Sequence, residues 1–289
     1  MLNQVDHLFH FTKNIDSLKK MLTEGFKPSY AIEKLDDKNI LVAMVSFSNI
    51  LLRDVGNAEV IFYGSYAIGF KREWGIDNTI NPVVYTYDKG ILHKALSQIL
   101  YSTIFLKVMQ TYKSYFKLFS DRGYGPFSKR IQLTNTPKEV MDILDFLTVK
   151  YDGNLVEILS NHAKAIYDTN FPILTLTKPY KVTNSEGKEF IAYNDREWRK
   201  LYSQLSVVFE GDKEFEDWSK KQKPHFNEDE YRLKFDITEV KAILLDSETE
   251  LDEIISALKA AYDPNLIDKL IAENSLTIGT KDQLIAKGF

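Results

Sequence analysis

A glutamate flanked by two arginines is the first feature of the sequence that could carry chemistry. The segment YNDREWR places Glu197 between Arg196 and Arg199. An opposite charge within about 4–6 Å lowers the pKa of a carboxyl group and keeps it ionised. On a strand, Glu197 shares one face with Asp195 and Arg199, while Arg196 lies on the other face. The alternative is a solvated, salt-bridged strand, and the motif alone favours that simpler interpretation.

A histidine near the N-terminus is the second candidate. The segment LFHFT predicts a strand, because successive side chains of a strand point to opposite faces. Leu8, His10 and Thr12 then lie on one face, and Phe9 and Phe11 lie on the other. A single histidine on a strand is more often a hydrogen-bonded core residue than a catalytic group. His10 is therefore a candidate whose role depends on what the fold brings beside it.

Metal and cysteine chemistry are not indicated by the sequence. The five histidines lack the spacing of metal ligands, and His7 and His10 fall on opposite faces of a strand. The absence of cysteine excludes disulfides, thiolate metal sites and cysteine nucleophiles. The phosphate-binding, dinucleotide-binding, zinc-peptidase and serine-hydrolase motifs are also missing. We predict a site without metal.

The elements that must position these residues are strands separated by a helical block. Helical spacing predicts a helix from Ile15 that ends at Gly25, and two more helices after Leu251 and Asp263. The predicted strands are Leu8–Thr12, Met44–Phe47, Tyr66–Phe70, Val83–Tyr87, Ile173–Thr177, Glu189–Tyr193, Asp195–Leu201 and Val240–Leu245.

The helical block interrupts the strand pattern. Its members are one long helix over Ile91–Leu118, a helix capped at Thr136 and a third from Leu155 to Ile166. We predict an α+β fold in which residues 1–90 and 171–246 form one mixed sheet, 91–170 form a helical insertion, and 247–289 form a C-terminal helical segment. The wide apolar face of the long helix predicts a surface for protein interaction.

The amino-acid composition and the net charge exclude several classes of protein. The chain has 289 residues, 44% hydrophobic and 27% charged, which excludes a disordered or low-complexity chain. A net charge of −4 gives no general attraction to nucleic acid or anionic membranes. No targeting signal or membrane span is indicated, so we expect a cytoplasmic protein. With 16 Tyr and 18 Phe, we expect some rings to line a ligand surface.

Several segments in order resemble a known family. The pieces are HFT with a following L…GF.PS, then MVSFSNI, YGSYAIGFKREWG…NPVVY, and LTKPYK…YNDREWR. Together they are similar to the AbiGi family of abortive-infection phage-resistance proteins, over the first ninety residues and again from Ile173 to Leu245. That family is described as the antitoxin partner of a nucleotidyltransferase-like toxin in a two-gene phage-defence system. The resemblance implies a cognate toxin or antitoxin encoded nearby.

A looser resemblance concerns the opening strand and helix, which look like those of ADP-ribosyltransferase folds, including toxins that modify DNA. The resemblance implies that His10 binds the ribose of NAD, that Tyr63 or Tyr66 stacks on the nicotinamide, and that Glu197 stabilises the oxocarbenium-like ribose. The remaining implied cofactor-binding residues are Thr12, Ser46 and Arg199. The implied fold is an ADP-ribosyltransferase-like mixed sheet split by the helical insertion.

The sequence is compatible with three functions. The first is an ADP-ribosyltransferase-like enzyme of phage defence, with nucleic acid only as a substrate. The second is a non-catalytic antitoxin or sensor that binds a toxin or phage protein through the helical insertion. The third and weakest is a nuclease-type effector. The enzyme hypothesis requires His10, Glu197 and one of Tyr63 and Tyr66 to converge on a single cleft.

Overall fold

The computed structural model describes most of the chain outside the helical block. The described residues are 6–35, 38–54, 64–87, 90–105, 138, 142, 145, 166, 169–170, 172–183, 189–202, 205, 208–210, 212–220 and 230–289. The predicted helices at Thr136 and at Leu155–Ile166 lie almost wholly outside them. Within the described part, residues 91–105 are helical, as predicted.

The strands and helices follow the order expected from the sequence, with additions. The strands are β1 (His7–Thr12), β2 (Ser29–Leu35), β3 (Lys38–Ser48), β4 (Tyr66–Lys71), β5 (Asn81–Pro82), β6 (Val84–Thr86), β7 (Thr177–Pro179), β8 (Lys181–Thr183), β9 (Glu189–Ile191), β10 (Glu197–Leu201), β11 (Val208–Phe209), β12 (Val240–Leu245) and β13 (Thr277–Thr280). The labelled helices are α1 (Ile15–Glu24), α2 (Arg72–Asp77), α3 (Lys213–Ser219), α4 (Leu251–Ala261), α5 (Pro264–Ala272) and α6 (Lys281–Ala286).

A mixed sheet of nine strands forms the centre of the fold. Its main path runs β13-β12-β4-β1-β3-β10-β5, and β2 and β11 also pair with β3. The prediction that β1, β3, β4 and β10 share one sheet, despite their separation in sequence, is confirmed. Two small sheets, β6 with β7 and β8 with β9, lie beside it. Among the described residues no helix is long and apolar enough to cross a bilayer.

The strand register assigns each side chain to one of two faces of this sheet. Phe9 pairs with Ser48, and Ser48 pairs with Glu197, so these three side chains share a face that we call face B. The neighbouring positions, His10, Phe47 and Trp198, therefore point to the opposite face, face A. This alternation decides which candidate residues can meet.

Helices cover the two faces unequally. On face A, helices α1, α4 and α5 bury leucine and isoleucine side chains in the largest apolar cluster. On face B, α6 packs through Leu284 beside Phe9, while the 91–105 helix packs through Leu100 against Val42 and Met44. Among the described residues, face B therefore has two separate apolar clusters, and Glu197 lies on this face outside both of them.

Several strand predictions were wrong at their boundaries, and two of them bear on the site. The predicted strand Ile173–Thr177 is helical over 172–175, and β7 begins only at Thr177. The described residues 166, 169 and 170 before it are also helical, and the carbonyl of Pro172 accepts the amide of Leu176 at 2.9 Å, so the helical conformation extends into the predicted strand. Asp195 belongs to a 3₁₀ turn, Ala192–Asp195, so β10 starts two residues later than predicted.

The end of helix α1 supplies a stability prediction. Gly25 has φ of 86°, and a Cβ placed there would lie 2.7 Å from the carbonyl oxygen of Leu233. Its ψ of 175° completes a backbone conformation that is essentially restricted to glycine. We expect Gly25→Ala to lower the free energy of unfolding by roughly 1–3 kcal/mol, because of this backbone strain and the close contact. Gly288→Ala is the matched control, because Gly288 has φ of 94° and nothing within 4 Å of the new Cβ. Urea unfolding that finds equal losses at both positions would contradict the contact argument.

Candidate functional site

Five charged side chains gather on face B of the sheet, and we call them the charged cluster. They come from β2, β7, the 3₁₀ turn and β10, and are Glu33, Lys178, Asp195, Glu197 and Arg199. Arg199 is at the centre and is 0% exposed. Since burying an unpaired charge costs several kcal/mol, such a group persists only where partners surround it.

Every nitrogen of the Arg199 guanidinium donates a hydrogen bond. Its Nε donates to Glu197 Oε1 at 2.8 Å, and its Nη2 donates to Glu197 Oε2 at 3.2 Å, which makes a two-point contact. The same Nη2 donates to Glu33 Oε1 at 2.7 Å. Nη1 donates to the carbonyl oxygen of Thr175 at 2.7 Å. Strand β10 is thereby tied to β2 and to the helical turn before β7.

Lys178 connects the charged cluster to solvent. Its Nζ lies 2.8 Å from Glu197 Oε2 and 3.9 Å from Asp195 Oδ2, and its side chain is 14% exposed. Both carboxylate oxygens of Glu197 therefore have cationic partners. A carboxylate held in this way stabilises structure, whereas a catalytic carboxylate needs an oxygen that can reach a substrate.

The two glutamates respond differently to this environment. Burial by itself raises the pKa of Glu197, but Arg199 and Lys178 outweigh burial and hold that pKa well below its ordinary value. Burial raises the pKa of Glu33, and Arg199 opposes the rise only in part. Glu197 is therefore the permanent anion of the charged cluster. Glu33 is the group that is more easily protonated.

The sequence prediction for Glu197 was right about one partner and wrong about its surroundings. Glu197 and Arg199 share a face and form an ion pair, as the strand pattern predicted. The alternative of a solvated surface strand is wrong, because Arg199 is fully buried. Arg196 takes a left-handed φ of 42° at the end of the turn and is exposed.

His10 lies on the opposite face of the sheet from Glu197, so the predicted convergence of the two residues on one cleft is wrong. Its ring packs between Phe26 and Phe47 on face A, at centroid distances of 4.8 and 5.5 Å. Nδ1 donates to the carbonyl oxygen of Ser46 at 2.7 Å. His10 is thus a half-buried, hydrogen-bonded histidine packed against core phenylalanines, which agrees with the alternative, structural interpretation.

Burial lowers the pKa of His10 to about 4, from an ordinary value of 6.5. On acidification the unfolded chain binds the proton first, so the folded state loses stability as the pH falls from about 6.5 towards 4. Between about pH 7.5 and pH 5 we expect the wild type to lose about 2 kcal/mol through this group. His10→Gln keeps a side-chain donor and removes this contribution. Urea unfolding at both pH values that finds the same loss in the variant would contradict the assignment.

The other predicted cofactor-binding residues are dispersed. Tyr66 is buried on face A, where its hydroxyl donates to Glu250 at 2.6 Å and the bond raises its pKa to about 12. Thr12 pairs with Tyr66 on that same face. Ser46 is opposite Arg199 on face B. Tyr63 lies outside the described residues. The predicted set is therefore divided between the two faces.

A row of four tyrosines lies in β6, in the segments that flank the small sheets and in the 3₁₀ turn, and we call it the tyrosine ladder. Tyr87 stacks on Tyr180 at 4.4 Å, Tyr180 stacks on Tyr193 at 5.9 Å, and Tyr193 meets the edge of Tyr85 at 5.4 Å. Tyr87 and Tyr193 at the surface are 63% and 50% exposed. The ladder is a large, stacked and partly solvated aromatic surface.

The charged cluster positions this ladder. The backbone amide of Glu197 donates to the hydroxyl of Tyr85 at 2.9 Å, and the amide of Val83 donates to the carbonyl of Glu197 at 2.9 Å. The amide of Tyr180 donates to the carbonyl of Thr86 at 2.7 Å. Burial raises the pKa of Tyr85 well above its ordinary value. The ladder is therefore built on β10 and held from below by buried groups.

A groove of about 1170 Å³ runs beside the tyrosine ladder, and we call it the lysine groove. Pro179 and Lys181, the two neighbours of Tyr180, line it. Its remaining walls come from β2, the start of β3, the 91–105 helix and β9. Its charged lining residues are Glu33, Lys34, Lys94, Lys178, Lys181 and Glu189.

Sequence analysis missed the ladder and the groove. The spacing of Tyr85 and Tyr87 on a predicted strand places both rings on one face, and this signal was available. Tyr180 and Tyr193 are about a hundred residues further along the chain, so their stacking follows only from the fold. The high aromatic content had suggested a ring-lined surface, but not its place.

Comparison with known proteins places the chain in a family. The model of the family described as "Putative abortive phage resistance protein AbiGi, antitoxin" matches residues 26–246. The match covers more than half of the chain, including most strands of the main sheet, the charged cluster and the ladder. No curated protein and no solved structure matches the chain. The chain belongs to the AbiGi family, and the resemblance to ADP-ribosyltransferases finds no support in these comparisons.

Proposed function

We propose that this AbiGi-family protein is the antitoxin of a two-component phage-defence system and binds its cognate toxin through the tyrosine ladder. The family description names an antitoxin, and an antitoxin acts on a toxin. The observation that carries the proposal is the exposure of Tyr87 and Tyr193 in a stacked ladder that is hydrogen-bonded to β10 through Tyr85.

Tyrosine is suited to such a role for physical reasons. Its ring provides a large contact area with only two side-chain torsions to immobilise, and its hydroxyl remains hydrated at the rim of an interface. Tyrosine is enriched among the residues that dominate binding energy at protein interfaces. Stacking on Tyr180 fixes the ring of Tyr87 before binding, which reduces the entropy lost on association.

The charged cluster supports binding more than catalysis. Both oxygens of Glu197 contact cations of the protein itself, and His10 lies across the sheet. An enzyme of the ADP-ribosyltransferase type would need these two groups on one cleft. We therefore assign the cluster a positioning role beneath β6 and β10, and we do not propose NAD as a cofactor.

The experiment that tests the function uses the product of the gene beside this one. The candidate toxin is expressed in bacteria alone and together with this protein carrying an affinity tag. We expect the toxin to slow growth alone, to be neutralised on co-expression and to co-purify with the tag. A toxic neighbour that is neither bound nor neutralised would overturn the proposal.

A further inference from the structure

We infer that the lysine groove holds an extended acidic segment of the cognate toxin, next to the tyrosine ladder. The inference rests on the proposed function and adds the chemistry of the partner. It follows from the charge of the groove, the strand that forms its wall and the apolar side chains near it.

Charge favours an acidic occupant. The groove is lined by four lysines and two glutamates, which leaves an excess of positive charge. Both glutamates have cationic partners, since Glu33 contacts Arg199 at 2.7 Å and Glu189 contacts Lys181 at 3.4 Å. Lys178 is paired as well, with Glu197 at 2.8 Å, so the excess positive charge of the groove lies on Lys34 and Lys94. Lys34 and Lys94 are both exposed, on opposite walls of the groove. A protein of net charge −4 thus presents a local cationic surface, which would attract and orient an acidic partner.

The wall of the groove favours an extended segment. Ile32, Glu33 and Lys34 of β2 line it, and β2 pairs with β3 alone among the described strands. A strand with one paired edge can accept a further strand, whose backbone supplies affinity and whose alternate side chains supply specificity. Ile32 is 49% exposed on this wall and gives such a segment an apolar contact.

Aliphatic side chains favour protein over nucleic acid as the partner. Lysines beside stacked rings also suit a single nucleic acid strand. However, Ile91 and Leu92 are exposed at the start of the 91–105 helix, next to Gly90, whose amide donates to the carbonyl of Tyr87 at 3.0 Å. Exposed aliphatic side chains gain by packing against apolar groups of a protein and gain little from a phosphate backbone.

The experiment reverses charge inside and outside the groove. In Lys34→Glu/Lys94→Glu two groove lysines change sign, and in the control Lys13→Glu/Lys20→Glu two exposed lysines outside the groove do so. The affinity of each variant for the purified neighbouring gene product is measured by calorimetry at low and high salt. We expect the groove variant to bind at least about 10-fold more weakly at low salt, with a smaller salt dependence, and the control to bind like the wild type.

The possible outcomes separate this inference from the proposed function. Equal affinity of wild type and groove variant would overturn the acidic segment and leave the antitoxin role in place. Failure of the wild type to bind would instead overturn the antitoxin role. Oligo(dT) and oligo(U) are titrated in parallel. Binding of either that is lost in the groove variant, with toxin affinity unchanged, would assign the groove to nucleic acid and overturn the inference.

Discussion

Replacing Arg199 by methionine is expected to lower the free energy of unfolding by about 3–5 kcal/mol, the usual cost of removing one partner of a buried ion pair. The variant leaves Glu197 and Glu33 buried on face B, with Lys178 as the remaining cation of the charged cluster. Arg199→Lys is expected to recover only part of the loss, because an ammonium cannot reproduce the two-point contact with Glu197.

The control for this prediction is an exposed ion pair of the same charge type. Lys181 and Glu189 lie 3.4 Å apart, with side chains 60% and 67% exposed. Lys181→Met is expected to cost no more than about 1 kcal/mol, since solvent screens such pairs. Urea unfolding of the three variants measures the difference. Equal costs for Arg199→Met and Lys181→Met would show that the charged cluster does not hold the sheet together.

Replacing the outer rings of the tyrosine ladder is expected to weaken toxin binding by about 10- to 100-fold for each ring, the range of residues that dominate an interface. The variants are Tyr87→Ala and Tyr193→Ala. Both rings are at least half exposed, so the free energy of unfolding should change by no more than about 0.5 kcal/mol. Calorimetric titration with the purified neighbouring gene product measures the affinity.

A matched apolar control is available on helix α2, where Ile76 is 58% exposed and lies outside the ladder. Ile76→Ala should bind the toxin with wild-type affinity. If Tyr87→Ala and Tyr193→Ala also bind like the wild type, the ladder is not the docking surface. A loss of affinity in Ile76→Ala as large as in the ladder variants would point to a different interface.

The local pattern of residue types in the sequence was sufficient to predict most strands of the main sheet. The runs MVSF and YAIGF are rich in β-branched and aromatic residues, and both are central strands. Strand β2 was not predicted because Glu33 and Lys34 interrupt its apolar pattern. Glu33 is tolerated there because Arg199, 166 positions away, pairs with it. No local rule identifies such a partner.

The predicted site of His10 and Glu197 was wrong because the register between the strands could not be read from the sequence. His10 and Glu197 were each predicted correctly to lie on a strand. Whether their side chains share a face depends on how the strands between them are aligned, because a shift of one position moves a side chain to the other face. The alignment of Phe9 with Ser48 and of Ser48 with Glu197 is set by tertiary pairing. A resemblance between short segments contains no information about that register. The domain boundaries stay a prediction.

Amide hydrogen exchange, followed with and without the purified neighbouring gene product, tests the central claim most directly. The account predicts that toxin binding slows exchange in β6 to β9, around Tyr87, Tyr180 and Tyr193, and leaves β12 and β13 unchanged. Protection confined to β12 and β13, or to helices α4 and α5, would show that the toxin docks elsewhere. An exchange pattern that the added protein does not change at any concentration would contradict the proposed partnership itself.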